Sequence, residues 1–194
     1  MSILGAERLG EALETLGELL ARRGHRFEIA VIGGSGLLLL GSIGRATEDV
    51  DVVGLVDEGS VRTSSPLPEP LADAARDVAR ALELAADWLN PGPTALLDFG
   101  LPTGFLGRCE IRRFDGLVVH LASRYDQVHF KLYAAVDQGP RSKHFDDLQR
   151  LEPTADELIA AAAWCQQHDP SEGFAGSLSA ALDALGAGGV DERS

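Results

Sequence analysis

Cysteine, basic charge and long apolar runs are all scarce in this chain, and each shortage excludes something. Two cysteines, Cys109 and Cys165, in 194 residues supply neither a disulfide framework nor a zinc quartet. They fit a reducing cytoplasm as small buried hydrophobes. The longest apolar stretch, around Leu37 to Leu40, is far shorter than a membrane span, and no secretory pattern stands at the N-terminus. The expectation is therefore a cytoplasmic protein with no membrane partner. Lys and Arg number 17 against 30 Asp and Glu, a net charge of −13. Coating a polyanion needs clustered cations, so nonspecific nucleic-acid coating is excluded and no DNA partner is expected. A nucleic-acid end held in a local basic cleft stays open. The five histidines show no metal-ligand spacing such as HExxH.

What is present is an ordinary globular composition, 45% apolar and 24% charged, sized for one domain or one domain with a helical appendage. The charge is uneven. Residues 1–100 carry 8 basic and 16 acidic side chains, residues 101–150 carry 8 and 6, and residues 151–194 carry 1 and 8. The middle window alone is net positive. Arg108, Arg112, Arg113, Arg124, Arg141 and Lys143 supply that balance, either to guide an anion or as scattered surface charge.

Periodicity divides the chain into elements. Leu9, Leu13, Leu16 and Leu20 predict a helix over 6–23, 27–32 reads as a strand, and Gly33-Gly34-Ser35 breaks it before a short buried helix at 36–40. Val50, Val52, Val53 and Leu55 mark a second strand, and the Ser- and Pro-rich stretch 64–70 is a loop. An Ala- and Leu-rich run predicts a helix over 71–89, ended by Asn90-Pro-Gly-Pro. Strands at 109–114 and 117–121 flank Asp115-Gly116, a hairpin dipeptide. Helices follow from Ser123, over 155–168 behind a Thr154/Glu157 capping box, and over 173–186 before a Gly-rich, frayed tail. Trp88 and Trp164 are expected in the core or an interface. The fold class is α+β: a small mixed β-sheet core flanked by helices, with a helical C-terminal portion.

The chemistry concentrates in Gly33-Gly34-Ser35, fourteen residues ahead of Asp49-Val50-Asp51-Val52. Residues i and i+2 of a strand share a face, which sets the two aspartates roughly 7 Å apart at Cα. Carboxylates about 5 Å apart repel by roughly 3 kcal/mol at an effective dielectric of about 20. A divalent cation between them resolves that conflict, and Mg²⁺ (or Mn²⁺) favours carboxylates with phosphate oxygens, so the implied co-ligand is a nucleoside triphosphate. Gly33 and Gly34 permit close approach of a phosphate. Ser35 and the helix start add a hydroxyl and free N–H groups.

These residues resemble the minimal nucleotidyltransferase (DNA polymerase β-like) superfamily, in which hG[GS] precedes DhDh. Arg45-Ala-Thr47-Glu-Asp49-Val-Asp51 resembles the R-x-[ST]-x-D-h-D of the AbiEii and MenT-type toxin nucleotidyltransferases and their uncharacterised relatives. The likeness continues through Leu101-Pro102-Thr-Gly104-Phe-Leu-Gly-Arg108, Phe130-Lys131-Leu132-Tyr-Ala134-Ala135 and Asp147-Leu148, covering about 27–169. It implies a nucleotidyltransferase core over 1–122 and a helical portion packed on it over 123–194. It implies that Gly33, Gly34 and Ser35 hold the triphosphate, with Arg45 and Thr47 on the approach, and that Asp49 and Asp51 bind the metal. Thr47 matches a position whose hydroxyl receives a nucleotide or phosphate group in some relatives. Lys131 would neutralise triphosphate charge, and Asp147 would complete the acidic site. For the third carboxylate of the wider superfamily the hairpin offers Glu110 and Asp115, with His120 on its second strand, and Glu110 is the best local candidate.

The resulting expectation is Mg²⁺-dependent transfer of a nucleotide to an acceptor hydroxyl. By the resemblance the acceptor is a tRNA 3′ end and the partner a cognate antitoxin. Two alternatives stand beside it: a catalytically weak triphosphate-binding or partner-binding protein, and a nucleotidyltransferase acting on a small molecule.

Overall fold

A computed structural model describes residues 4–187 of the chain. The Gly-rich tail expected to fray lies largely outside them. Two compact units divide the chain, Met1–Ser123 and Arg124–Ser194.

The first unit is built on a six-stranded mixed sheet. Helix α1 (Ala6–Arg22) presents Leu9, Leu13, Leu16 and Leu20, all fully buried, as one helical stripe. Strand β1 (Phe27–Ile32) ends at the glycines as expected, and helix α2 (Gly33–Leu39) begins there, three residues earlier than the pattern predicts. Strands β2 (Val50–Asp57) and β3 (Ser60–Arg62) form a tight hairpin, of which only the first strand is predicted by the pattern. Helix α3 (Glu69–Ala81) ends eight residues before its predicted stop. Glu83 takes φ +52 and the Leu84 N–H donates to Ala79 O at 2.8 Å, a Schellman-type closure that overrides the Ala-rich propensity. The chain thereby turns back in time to bury Trp88, whose indole N–H donates to Ala75 O at 2.9 Å.

The released residues form a two-residue strand, β4 (Leu89–Asn90), followed by a 3₁₀ segment, Gly92–Asp98, packed on β2. A short helix α4 (Phe105–Arg108) precedes strands β5 (Glu110–Phe114) and β6 (Leu117–Leu121). The sheet order is β3-β2-β1-β6-β5, with β4 paired to β2. Strand β1 runs antiparallel to β2 and parallel to β6. The β5–β6 turn docks on α1, where the Gly116 N–H donates to Gly17 O at 3.0 Å. A β-carbon on Gly116 would come within 2.6 Å of the Ala21 nitrogen, so this contact needs glycine.

The second unit is helical: α5 (Arg124–Gln138), α6 (Lys143–Arg150), α7 (Ala155–His168) and α8 (Glu172–Ala184). Helix α5 packs against the other three. Trp164 sits among Phe130, His129 and Tyr133 at centroid distances of 5.5, 5.9 and 6.0 Å, with His168 at 4.0 Å. The Thr154/Glu157 capping box forms in full. Cys165 is buried, and burial pushes its thiol up to about 12, so it packs as an unreactive group. Cys109 is only half-buried. No helix among the described residues is long and apolar enough to cross a membrane.

Candidate active site

The register of β2 decides what surrounds the paired acids. Asp51 pairs with Ile32 at the end of β1 on one side and with Asn90 of β4 on the other. Asp49 immediately precedes the strand. The Asn90 amide nitrogen donates to Asp49 Oδ2 at 2.8 Å and to Asp51 Oδ1 at 3.4 Å. Both carboxylates therefore converge on one amide group. Its N–H donors offset part of their mutual repulsion.

The chain leaves β1 through Gly33, at φ +73, a backbone conformation that favours glycine. A β-carbon there would overlap Asp51 Oδ2, so the turn and the acid share a space that admits no side chain. Gly34 is buried, and a β-carbon on it would sit 3.3 Å from Arg45 Nη2 and 3.4 Å from Thr47 Oγ1. The half-buried Arg45 guanidinium and the Thr47 hydroxyl thus lie across the second glycine. Thr47 is held by a two-way bridge to Leu4, at 2.7 and 3.0 Å, and its hydroxyl donates to Asp49 O at 3.2 Å. Ser35 is fully buried. Its hydroxyl donates to Ile32 O and accepts from the Asp51 N–H, both at 3.4 Å, which joins the helix start to the acid-bearing strand.

Lys131 and Asp147 belong to the second unit. Lys131 Nζ donates to Asp147 Oδ2 at 2.8 Å, with side-chain exposures of 3% and 0%. Phe145 and Leu148 bury the same side of α6, while the adjacent Asp146 is exposed, as the 100° step between neighbours on a helix requires.

Glu110 does not join the acids. It pairs in register with Leu121, which pairs with Val31. Register partners share a sheet face, and Val31 and Ile32 point to opposite faces. Glu110 therefore lies on the face away from Asp51, with two strands between them, and is ion-paired with Arg112 at 2.5 Å. Asp115 sits in the hairpin turn, beside the start of β1 rather than its end. His120 is on the Asp51 face but lies 2.7 Å from Glu28 Oε2.

Several cations of the net-positive window are also tied up locally. Arg108 donates to Thr103 O at 2.7 Å. Arg124 donates to Leu151 O at 2.6 and 3.1 Å, to Glu152 O at 2.9 Å, and to Glu157. Burial works to raise the Glu157 carboxyl, but hydrogen bonds from Arg124 and Thr154 outweigh it and hold the group below its ordinary value.

Asn90 is the site residue that pattern reading misses, because Asn90-Pro-Gly-Pro reads as a helix stop. A signal was present. A residue before proline favours extended backbone, and an Asn two positions before Gly invites a side-chain turn.

Among the described residues no three His, Cys, Asp or Glu side chains converge where a metal ion could be held. Two carboxylates already built around a donor do suit Mg²⁺, which takes one or two carboxylates and completes its shell from substrate phosphates and water. No family model, curated protein or solved structure matches the chain.

Proposed function

We propose that this protein is a nucleotidyltransferase that uses a divalent cation to move a nucleoside monophosphate from a nucleoside triphosphate to an acceptor hydroxyl. The observation that carries the reading is the convergence of Asp49 and Asp51 on one amide at the lip of a Gly33-Gly34 turn crossed by Arg45. Two acids alone would be a solvated strand end. Two acids packed against a glycine turn, with a guanidinium across it, bring together the charges that a cation and a phosphate chain need.

In this reading Asp49 and Asp51 hold the cation, Mg²⁺ or Mn²⁺, and Gly33 and Gly34 let Asp51 and Arg45 close in on the turn where the triphosphate docks. Arg45 neutralises phosphate charge, and within the helical unit Asp147 holds the Lys131 ammonium through their 2.8 Å hydrogen bond. When bound, the cation supplies charge neutralisation and a lowered pKa for the acceptor hydroxyl. The acceptor oxygen forms its bond to the α-phosphorus as the bond to the bridging oxygen breaks, releasing pyrophosphate, and the hydroxyl proton passes to a carboxylate or to water. Positioning and electrostatics do most of the work. The acceptor class to test first is a tRNA 3′ end, in a toxin role with an antitoxin partner, because that is what the resemblance implies.

A second reading has its own support. The register position beside Asp51 carries an amide and Glu110 faces away, which favours a triphosphate-binding protein with little transfer. One experiment separates the two: label transfer from each α-labelled triphosphate with Mg²⁺ to tRNA, total RNA and the protein itself, beside an Asp49→Asn/Asp51→Asn variant. Label on an acceptor that is lost in the variant supports the transferase. Cation-dependent triphosphate binding without transfer supports the binding protein, and label unchanged in the variant overturns the site.

A further inference from the structure

Asn90 is set in place more firmly than a loop residue needs to be. Trp88, fully buried, anchors the strand that carries it, and the Val50 N–H donates to Trp88 O at 2.6 Å. Pro91 holds Asn90 to extended backbone, which aligns it with Asp51 in the parallel ladder. The Gly92 N–H donates to Asn90 Oδ1 at 2.8 Å. That bond decides which end of the amide is which: the oxygen faces Gly92 and the nitrogen faces the acids. A β-carbon on Gly92 would come within 2.9 Å of Asn90 Oδ1, so the glycine is what lets the side chain fold back.

We propose that Asn90 is a positioning residue that stands where a third carboxylate would complete the acid cluster, and that it makes the site take its cation together with the triphosphate instead of alone. The inference rests on the nucleotidyltransferase reading and adds to it. The amide nitrogen carries two N–H donors, and two carboxylates accept from it. It holds the acids converged while adding no negative charge. Cation affinity at oxygen sites rises with the number of charged ligands. Two carboxylates and a neutral amide leave the protein's share of the coordination weak, and phosphate oxygens supply the rest.

Asn90→Asp tests this cleanly, because one aspartate oxygen can still accept from the Gly92 N–H while the other faces Asp49 and Asp51. The measurement is Mn²⁺ binding to the full chain by electron paramagnetic resonance, with and without an α,β-methylene triphosphate, together with melting temperature in EDTA and in Mn²⁺. Without nucleotide, Asn90→Asp should bind Mn²⁺ at least about tenfold more tightly than the parent chain, and Asp49→Asn/Asp51→Asn should erase the gain. In EDTA its melting temperature should fall, since three carboxylates then face one another without a donor, and Mn²⁺ should restore it. Asn90→Ser replaces the amide, whose N–H donors span both acids, with a shorter group that adds no charge. Its Mn²⁺ affinity without nucleotide should stay near that of the parent chain, since the number of carboxylates is unchanged.

Equal Mn²⁺ affinity in the Asn90→Asp and parent chains overturns the inference. So does an Asn90→Ser chain that gains Mn²⁺ affinity as much as Asn90→Asp does, which would make loss of the amide, and not added charge, the cause. The transferase reading fails separately, if Mn²⁺–triphosphate binding to the parent chain does not depend on Asp49 and Asp51.

Discussion

Gly33 and Asp51 occupy one space: a β-carbon on the glycine would overlap the carboxylate oxygen Oδ2. The contact joins the end of β1 to the acid-bearing strand. Any side chain at Gly33 must either push the acid aside or open the turn. Gly33→Ala also forces alanine to a positive φ, which costs about 1–2 kcal/mol. The expected outcome is a modest loss of stability in urea unfolding with a loss of nucleotide transfer of about 100-fold or more, since sub-ångström placement governs the reaction.

Lys131 and Asp147 form a buried pair whose halves depend on each other. Lys131→Met leaves the Asp147 charge buried without its ammonium, and breaking such a pair costs about 3–5 kcal/mol. Lys131→Met/Asp147→Leu removes both charges and should recover most of that stability. Thermal unfolding of the single and double variants checks this.

The Glu157 carboxyl is held below its ordinary value in the folded chain. A depressed folded pKa stabilises the protein above the unfolded pKa and loses that contribution as pH falls through the folded one. Glu157→Gln should therefore be less stable than the parent chain at pH 7. The gap should narrow steadily as pH falls below about 4.5, which urea midpoints across that range would show.

Thr154→Ala removes the other half of the same capping box, in which the Glu157 N–H donates to Thr154 Oγ1 at 3.2 Å. A lost cap of this kind costs about 1 kcal/mol. The loss should appear in the urea midpoint with no change in triphosphate binding.

Trp88→Phe keeps an aromatic ring in the core but removes the hydrogen bond to Ala75 O. The cost should be about 1–3 kcal/mol. Because Trp88 anchors the strand that carries Asn90, triphosphate binding in the presence of Mn²⁺ should weaken as well, and calorimetric titration checks this.

Much of this fold can be read directly from residue spacing. The leucine stripe of α1, the hairpin at Asp115-Gly116 and the capping box at Thr154 are local patterns, each complete within a few turns of chain, and each forms. The choice of Asp147 over Asp146 rests on the family resemblance, and Asp147 is the one of the two that is buried. The short approach of Gly33 to Asp51 needs two segments, but both lie at the facing ends of neighbouring strands. What escapes the sequence is set by long-range pairing. Ala-rich composition argues for helix through residue 89, while the helix ends at Ala81 because Trp88 is buried instead. Asn90 reaches acids some 40 positions earlier only through that early stop. Glu110 looks available in one dimension, and it is the sheet register that turns it to the opposite face.

Strand β5 closes one side of the sheet, and most of its side chains are exposed. An outermost strand offers unpaired backbone groups to any neighbouring strand, including the same strand of another copy. Here that strand bears Glu110, Arg112 and Arg113 in five residues, so stacking sheet to sheet would bring charged side chains into a crowded seam and strip them of water. The feature that disqualifies Glu110 from the candidate site gives it a different use, as a guard against the chain aggregating with itself.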